Sequence, residues 1–382
     1  MTKVSSNSRR RKLKAPATEP PRKRVKIDME RLTVIQTGSP KTEIYKKEDR
    51  QLYVQQCYDF GSSLGSGSFA DVVSATSRGS QRSSAIKISR VPFKFVRQYQ
   101  EALSEVRIHK ELPPHTNIVG FLAAWSESRL LFVETELCVS DLRVFAKSPL
   151  FTSRLLAHAA VDIIAGISHL HANDFLHVDI KPDNVFVTSS GVCKIGDFGV
   201  AVRLEDAKRG IDGDGRYAPI DLLNGAPTTK TDVFSLAMTI LEVASGVPAQ
   251  EIKTMSFADE ETIRGFLKTT DREEFVDLVH AGLSEDPSQR PEASEMLKIA
   301  KRIAESHGDR PDVAWSVEEE QKAAPVLSRL PTAFVTPQRD DCGSEAFATP
   351  DFNVNPRPFH SDPRSRLHLV RKVPRLKFSG FD

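Results

Sequence analysis

The stretch HVDIKPDN, residues 177–184, decides the fold of this chain. It places two aspartates, a lysine and an asparagine within eight positions, after a long stretch of helical apolar spacing and before the apolar run VFV. A second polar group, Asp197 in KIGDFGV, follows Asn184 by thirteen residues. Polar side chains on loops between apolar elements are typical of functional positions. Both loops are therefore candidates for functional positions.

The bulk composition excludes several classes of protein. The 382 residues allow two domains, or one large domain with tails, and the net charge of +2 gives no global basic field for nucleic acid. No CxxC pair occurs, which predicts a reducing compartment without a disulfide framework or zinc site; the cysteines are Cys57, Cys138, Cys193 and Cys342. We expect a soluble intracellular protein with no signal peptide, no transmembrane segment and no nucleic acid as substrate.

Both ends of the chain are predicted to be disordered tails. Residues 1–48 are rich in Ser, Pro, Lys and Arg and poor in large apolar residues, and residues 306–382 contain many Pro and Arg. The basic clusters RRRKLK (9–14) and PRKRVK (21–26) resemble a bipartite nuclear import signal. A solvated basic tail and a nucleic-acid arm stay open as alternatives. The preferred interpretation predicts an import receptor as a partner and a nuclear protein, with a cytoplasmic pool left open.

Residues 49–305 have the pattern of a folded domain. Short strand-like runs and one helix, from about residue 96 to 111, occupy the first part, and long helical patterns dominate the second. This order predicts an α+β fold with two lobes, at about 49–137 and 138–305. Residues 50–53, RQLY, are assigned to the first strand.

Two motifs in the first lobe point to phosphate chemistry. In LGSGSFADVV, Gly65 and Gly67 allow a tight turn whose backbone can approach phosphates, with Ala70 where a third glycine is common; an ordinary hairpin turn is an equal interpretation. In SAIKIS, Lys87 lies in an apolar strand and needs a counterion. The following helix offers Glu101 and Glu105, and Glu105 is preferred because large apolar residues surround it.

In order and spacing, these motifs resemble those of the protein kinase family. The resemblance implies that Asp179 accepts the hydroxyl proton of the substrate and that Lys181 neutralises the phosphoryl group in transfer. It also implies Mg²⁺ binding by the amide oxygen of Asn184 and the carboxylate of Asp197, with phosphate and water completing the shell. Val178 stands where the H-R-D loop of the family has arginine.

The resemblance predicts a bilobal protein kinase fold of the α+β class, flanked by disordered tails. Its small lobe is an antiparallel sheet with one helix, and its large lobe is helical. ATP and Mg²⁺ are the expected cofactors, and Lys87 and Glu105 join Asp179 and Lys181 as expected catalytic residues. The residues expected to bind the nucleotide are Leu64, Gly65, Ser66, Gly67, Ser68, Phe69, Ala70, Val72, Ala85, Lys87, Thr135, Glu136 and Cys138.

Two contacts are expected within the large lobe. Asp232, in TKTDVFSLAMTILE, is expected to brace the backbone of the 177–184 loop. Arg290, in DPSQRPEA, pairs in kinases with the Glu of an A-P-E triplet, but YAPID places the shorter acid Asp221 there. Whether Asp221 reaches Arg290 stays open from the sequence.

The segment after Asp197 lacks the usual phosphorylation switch. Many kinases are activated by a phosphate in this segment, which the arginine of H-R-D binds. Here Val178 replaces that arginine, and no Ser, Thr or Tyr occurs between Phe198 and Arg216. We hypothesise a segment that folds into its active form without phosphorylation. The acids Asp212 and Asp214 are expected to supply the missing negative charge by pairing with Arg216 or Lys208.

DGDGRYAPIDLL, AAWSESRLLFVETELC and HVDIKPDN resemble the Wee/Myt family of cyclin-dependent-kinase inhibitory kinases, in particular the soluble plant-type Wee kinases. The likeness covers residues 58–300. It implies transfer of the ATP γ-phosphate to a tyrosine in the Gly-rich loop of a mitotic cyclin-dependent kinase–cyclin complex, and in some members to the adjacent threonine. The product is inhibited, which delays entry into mitosis. Departures from the family are Ala70, Asp212, the APID order and Ala237.

Two other functions are weighed against this one. A Ser/Thr kinase of another family would suit Lys181, but the Gly213-Asp214 segment argues against it. A non-catalytic scaffold with a kinase fold is opposed by the presence of Lys87 and Asp179. Because residues after 307 contain no apolar run of spanning length, we favour the soluble nuclear branch over membrane-bound members. A monomer is expected.

Overall fold

The structure, a computed structural model, describes residues 33–36, 44–46, 49, 51–67, 69–211, 213–223, 225–253 and 259–314. Most of the two predicted tails lies outside the described residues. The basic clusters at 9–14 and 21–26, Ser68 and Asp212 lie outside them too. The predicted import signal and the predicted pairing of Asp212 therefore stay predictions.

The small lobe is built on one antiparallel sheet. Its strands are β1 (Thr33–Gln36), β2 (Tyr58–Ser66), β3 (Ala70–Ser77), β4 (Ser83–Ser89), β5 (Phe121–Glu127) and β6 (Leu130–Glu136). They pair in the order β1-β5-β6-β4-β3-β2. Alternate residues of β3 are buried, as expected for a strand with one face on the core. Because β1 pairs with β5, the prediction of disorder is wrong for residues 33–36.

Two helices pack against this sheet, whereas the sequence predicted one. They are α1 (Tyr53–Cys57) and α2 (Val96–Glu111), and α2 has the predicted bounds. The assignment of this stretch to a strand is wrong for residues 51–53, since none of them is in a strand and Tyr53 begins α1, while Arg50 lies outside the described residues. The ring of Tyr53 packs edge-on against Trp125 at 5.3 Å, and its N–H donates to the buried carboxylate of Glu127 at 2.7 Å. These tertiary contacts outweigh the strand preference of the aromatic residues.

The large lobe is helical, as predicted. Its helices are α3 (Leu142–Phe145), α4 (Ser153–Ala172), α5 (Thr229–Ser245), α6 (Ala249–Ile252), α7 (Glu260–Lys268), α8 (Val276–Gly282) and α9 (Ala293–Ser306). Every residue of α5 from Thr231 to Ser245 is buried, so this helix is the centre of the lobe. Within the described residues, α4 is long and apolar enough to cross a membrane, but 61% of its apolar window is buried in the domain. It is therefore a core helix, packed against α5 and α9.

Short strands position the loop that opened the sequence. β7 (Ser140–Asp141), β9 (Val185–Val187) and β10 (Cys193–Ile195) form one small sheet, and β8 (Phe175–Leu176) pairs with β11 (Val202–Arg203). Residues 177–184 connect β8 to β9, and Asp197 follows β10. Because β9 and β10 are paired, the polar residues of the 177–184 loop lie beside Asp197.

Residues 308–313, which the sequence assigned to the second tail, pack on the large lobe. Arg310 forms an ion pair with Asp162 of α4 at 2.6 Å and donates to the carbonyl of Gly191 at 3.1 Å. The Asp162 side chain is 8% exposed and also accepts the backbone N–H of Cys193 at 2.9 Å. The predicted end of the folded region, near residue 305, is therefore several residues too early.

We predict that Arg310→Met destabilises the domain, because it leaves the buried Asp162 carboxylate without its cation. Breaking a buried ion pair costs about 3–5 kcal/mol, and we expect about 2 kcal/mol here because Arg310 is partly exposed. Urea unfolding of the full chain measures the decrease in the free energy of unfolding. Arg302→Met, at an exposed position of α9, is the matched control and should stay within about 0.5 kcal/mol of the unmodified protein. Equal stabilities for the two variants would contradict the bracing role.

Candidate active site

A carboxylate of α5 holds the loop of residues 177–184, here called the catalytic loop. The fully buried Asp232 accepts the backbone N–H of His177 at 2.9 Å and that of Val178 at 2.8 Å. A ring nitrogen of His171 lies 3.0 Å from the same carboxylate. These contacts keep Val178 at a φ of +67°, which costs a residue other than glycine about 1–3 kcal/mol. The predicted bracing of the loop by Asp232 is confirmed.

The Asp179 carboxylate accepts hydrogen bonds from two residues of the catalytic loop and from Asp214. One carboxylate oxygen accepts hydrogen bonds from Lys181 Nζ at 2.7 Å and from the Asn184 amide at 2.9 Å. The other accepts the backbone N–H of Asp214 at 2.7 Å. The loop thus brings three of the predicted site residues into direct contact. A carboxylate oriented in this way can orient a substrate hydroxyl and accept its proton.

Lys87 of β4 bridges two carboxylates from different elements. Its Nζ lies 2.7 Å from Glu105 of α2 and 3.0 Å from Asp197. The preference for Glu105 as its partner is confirmed, since Glu101 pairs instead with Arg97 at 2.8 Å. Burial alone would lower the pKa of Lys87. The two carboxylates raise it by more than burial lowers it, so the pKa of Lys87 lies above its ordinary value. The Lys87 ammonium therefore stays charged, in contact with both carboxylates.

The orientation of Asp197 depends on the residue that follows it. Phe198 is buried, and its ring packs against His109 at 4.7 Å and His177 at 5.5 Å. Burial lowers the pKa of His109 to about 4, so this ring is neutral at physiological pH and packs as an aromatic group. With Phe198 anchored inside, Asp197 adopts a φ of +59° and reaches Lys87.

The donor set of Asn184 and Asp197 fits a Mg²⁺ ion. The Asn184 amide nitrogen donates to the backbone carbonyl and the side chain of Asp179, which leaves its oxygen on the other side of the amide. Burial alone would raise the pKa of Asp197, but the charges of Lys87, His177 and Lys181 together lower it by more, so the pKa lies below its ordinary value and the carboxylate is ionised. Within the described residues no group of three acidic, His or Cys side chains is arranged for a metal. Mg²⁺ commonly takes one or two protein ligands and completes its shell with phosphate and water.

One face of the small-lobe sheet carries the residues predicted to surround the nucleotide. Val72 of β3 lies opposite Lys87 of β4, and Ala85 lies opposite Thr135 of β6. Residues directly opposite in an antiparallel pair share a face, as do residues two apart in one strand. All four therefore lie on the face from which Lys87 reaches Asp197.

The predicted phosphate-binding turn connects β2 and β3. Its described residues are Leu64, Gly65, Ser66, Gly67, Phe69 and Ala70. The backbone N–H of Gly67 donates to the carbonyl of Ala70 at 2.9 Å, which closes the turn with alanine in the third position. Phe69 at its tip is 88% exposed, so its side chain does not pack on the domain.

An ion pair at the base of this turn was not predicted from the sequence. Asp71 accepts a hydrogen bond from the Ser66 hydroxyl at 2.6 Å and from Arg90 Nε and Nη2 at 3.0 and 2.8 Å. Arg90 follows the last residue of β4. The only sequence signal was an acid shortly after the Gly- and Ser-rich turn, which does not identify a partner.

The predicted hinge follows β6. The Glu136 carboxylate accepts the backbone N–H of Gly120 at 2.6 Å and pairs with Lys194 at 2.9 Å. Its side chain is therefore engaged with the protein, and its backbone N–H also donates to the carbonyl of Gly120 at 2.9 Å. The Thr135 hydroxyl donates to the carbonyl of Glu136 at 3.3 Å. Cys138 is buried, and burial raises the pKa of its thiol to about 12.

The activation segment, residues 197–221, packs directly on the catalytic loop. At Gly213 a Cβ would lie 2.4 Å from the carbonyl oxygen of Val178 and 2.8 Å from an Asp179 carboxylate oxygen, so a side chain cannot be accommodated without movement. The carboxylate of Asp214 forms an ion pair with Arg216 at 2.6 Å. The predicted pairing of Asp214 with Arg216 is thus confirmed. Hydrogen bonds from Arg216 lower the pKa of Asp214 to about 2.

The end of the activation segment is anchored by the ion pair that the sequence left open. Asp221 lies 2.6 Å from Arg290, whose side chain is 1% exposed. The shorter acid therefore reaches the arginine. The remaining donors of Arg290 bond to backbone carbonyls, including that of Lys230 at 3.1 Å.

Comparisons with known proteins agree with this geometry. Residues 58–300 match the family described as "Protein kinase domain". The chain is 34% identical over 269 residues to "Membrane-associated tyrosine- and threonine-specific cdc2-inhibitory kinase wee-1.3" of Caenorhabditis elegans, over 68% of this chain and 38% of that protein. It is 31% identical over 238 residues to "Wee1-like protein kinase" of Arabidopsis thaliana, over 61% of this chain and 47% of that protein. The chain thus spans less than half the length of these two relatives.

We predict that Gly213→Ala lowers the rate of phosphate transfer while the protein stays folded, because the added methyl group displaces the backbone beside Asp179. We expect a decrease in kcat of at least about tenfold, since misplacement by about 1 Å can cost 10²-fold. Steady-state kinetics and the melting temperature measure the two effects. Gly215→Ala is the control, because a Cβ there has no neighbour within 4 Å. A Gly213→Ala protein as active as the Gly215→Ala protein would contradict this close packing.

Proposed function

The chain belongs to the protein kinase family, and we propose that it is a Wee-type kinase that inhibits a mitotic cyclin-dependent kinase. The proposed reaction transfers the ATP γ-phosphate to a tyrosine in the Gly-rich loop of that kinase, and to the adjacent threonine if specificity is dual. Delayed entry into mitosis is the proposed consequence. The names of the two relatives support the target, since one is tyrosine- and threonine-specific and cdc2-inhibitory and the other is Wee1-like.

The observation that carries the proposal is the simultaneous contact of Lys87 with Glu105 and Asp197, beside an intact Asp179 cluster. In protein kinases both the Lys–Glu pair and the Asp that holds the metal must be in place for transfer. A scaffold without activity has no need to preserve this arrangement.

The residues of the chain have distinct proposed roles in the transfer. Asp179 orients the tyrosine hydroxyl and accepts its proton as the oxygen bonds to the γ-phosphorus. Lys181, 2.7 Å from Asp179, offsets the negative charge of the group in transfer, and Lys87 holds the other phosphates. The bond to the β-phosphate oxygen breaks, and ADP leaves. Bound Mg²⁺ would neutralise phosphate charge, held by Asn184 and Asp197.

Localisation in the nucleus is a further part of the proposal. It rests on the basic clusters at 9–14 and 21–26 as a signal for an import receptor. We propose the nuclear, soluble branch and a monomeric kinase. Fusion of residues 1–30 to a fluorescent protein, with both clusters replaced by alanine as the control, tests the import signal.

We predict that the full chain, ATP and Mg²⁺ modify a catalytically dead cyclin-dependent kinase–cyclin complex on the tyrosine of its Gly-rich loop. Mass spectrometry locates the site, and the Asp179→Asn protein, which lacks the proton acceptor, should give no product. Modification only at other serines or threonines would favour a Ser/Thr kinase of another family. Absence of transfer to any protein substrate would favour a scaffold.

We also predict that the kinase needs no phosphate on its activation segment. The full chain produced in bacteria and treated with phosphatase should keep its activity, within about twofold, because Asp214 and Arg216 already order the segment. The comparison is the same preparation without phosphatase. Loss of most of the activity after treatment would contradict the hypothesis.

A further inference from the structure

Arg143 of α3 lies where three parts of the large lobe meet. Its Nε and Nη2 donate to the two carboxylate oxygens of Asp183 at 2.9 and 2.8 Å. Nη2 also donates to the hydroxyl of Tyr217 at 2.7 Å, and Nη1 donates to Glu242 at 3.0 Å. One planar guanidinium thus holds three side chains at once, a geometry that the single ammonium of lysine does not reproduce.

Each of the three partners belongs to a different element. Asp183 lies in the catalytic loop next to Asn184, Tyr217 lies in the activation segment, and Glu242 lies in α5. The partners are 40, 74 and 99 residues from Arg143 in the sequence. The arginine therefore connects the two functional loops to the central helix of the lobe.

The inner side of this cluster is closed to water. Tyr217 is 1% exposed, and its hydroxyl donates to Glu242 at 2.5 Å. Burial raises the pKa of Tyr217, so the phenol stays neutral and can donate. Hydrogen bonds to Asp183 raise the pKa of Arg143, so the guanidinium stays charged. Burial alone would raise the pKa of Asp183. The contacts of this carboxylate, mainly with Arg143, lower the pKa by more, so it lies below its ordinary value.

From Tyr217 the contacts continue to the proposed proton acceptor. The backbone N–H of Tyr217 donates to the carbonyl of Asp214 at 3.0 Å, and the N–H of Asp214 donates to Asp179 at 2.7 Å. Arg143 is therefore connected to Asp179 through two residues of the activation segment, Tyr217 and Asp214, each of which is held by hydrogen bonds. On its other side, Arg143 holds the residue next to Asn184.

We propose that Arg143 is a positioning residue that locks the activation segment onto the catalytic loop without phosphorylation. In many protein kinases this contact is made by a phosphate and the H-R-D arginine. Here Val178 occupies the place of that arginine, and the segment between residues 198 and 216 has no hydroxyl to modify. Arg143 supplies the cation from α3, and its acceptors are side chains already present in the fold. The expected effect on the rate of transfer rests on the proposed function only in requiring that the chain transfers phosphate, whereas the packing of the activation segment does not.

Three substitutions in the full chain test the lock. Arg143→Met keeps the length of the side chain and removes every donor, and we expect kcat to fall by at least about tenfold. Arg143→Lys keeps the charge but not the planar set of donors, and its kcat should lie above that of Arg143→Met and below that of the unmodified protein. Tyr217→Phe removes the bonds of the activation segment to Arg143 and to Glu242 but leaves Arg143 with Asp183 and Glu242, and it should give an intermediate loss of kcat. The control is Arg264→Met, which breaks an exposed ion pair with Glu260 in α7.

The readouts separate positioning from a general loss of stability. Because Asp183 adjoins Asn184, Arg143→Met should also raise the Mg²⁺ concentration for half-maximal rate by about threefold or more, while KM for the protein substrate changes less. Trypsin should cut the full-length Arg143→Met protein faster after residues of the activation segment such as Lys208 or Arg216, at a temperature where melting curves show it folded. A variant that loses only melting temperature, with kcat, Mg²⁺ dependence and cleavage rate unchanged, would overturn the proposal.

Two substrates distinguish failure of the lock from failure of the proposed function. Each variant is assayed on a generic tyrosine-containing peptide and on the dead cyclin-dependent kinase complex. If the unmodified chain acts on the peptide only, the proposed target is wrong, and the lock is still decided by the peptide rates. If the unmodified chain transfers no phosphate, the comparison of tryptic cleavage rates decides the lock alone. Equal cleavage of the Arg143→Met and Arg264→Met proteins would then refute it.

Discussion

The buried carboxylate of Asp232 is the restraint on which the site geometry depends. A carboxyl group with no exposure to water is tolerated only where hydrogen bonds replace hydration. Two backbone N–H groups of the catalytic loop and a ring nitrogen of His171 fill that role. The same bonds hold Val178 in a conformation that β-branched residues rarely adopt. The direction of the adjacent Asp179, and the surface against which Gly213 packs, both follow from this restraint.

The activation segment reaches the catalytic loop from two directions. Gly213 and Asp214 contact it through the backbone, at Val178 and Asp179. The second connection is made by Arg143, which bonds both Tyr217 of the activation segment and Asp183 of the catalytic loop. In a kinase regulated by phosphorylation, such contacts form only after a charge has been added. Here the charges belong to the folded chain, and this is the physical basis of the proposed activity without phosphorylation.

The sequence predicted those contacts in which a buried charge demands one nearby partner. The pairing of Lys87 with Glu105 follows from this logic because the candidate partners on the next helix are few. The contact of Asp232 with the catalytic loop was predicted from the resemblance to protein kinases. Arg143 and Arg310 were missed, although each makes several bonds. Their acidic partners lie up to 99 and 148 residues away in the sequence. Nothing in a local pattern separates such an arginine from one that is solvated on the surface.

The burial of the hinge cysteine has a consequence for inhibitor chemistry. Electrophilic inhibitors react with a thiolate, and burial raises the pKa of the Cys138 thiol and so disfavours that form at neutral pH. Cys138 is also only 8% exposed. A thiol beside a proposed nucleotide site invites covalent targeting, but its surroundings make this one a slow nucleophile. Reversible compounds that bond to the hinge backbone are the better-matched chemistry for this cleft.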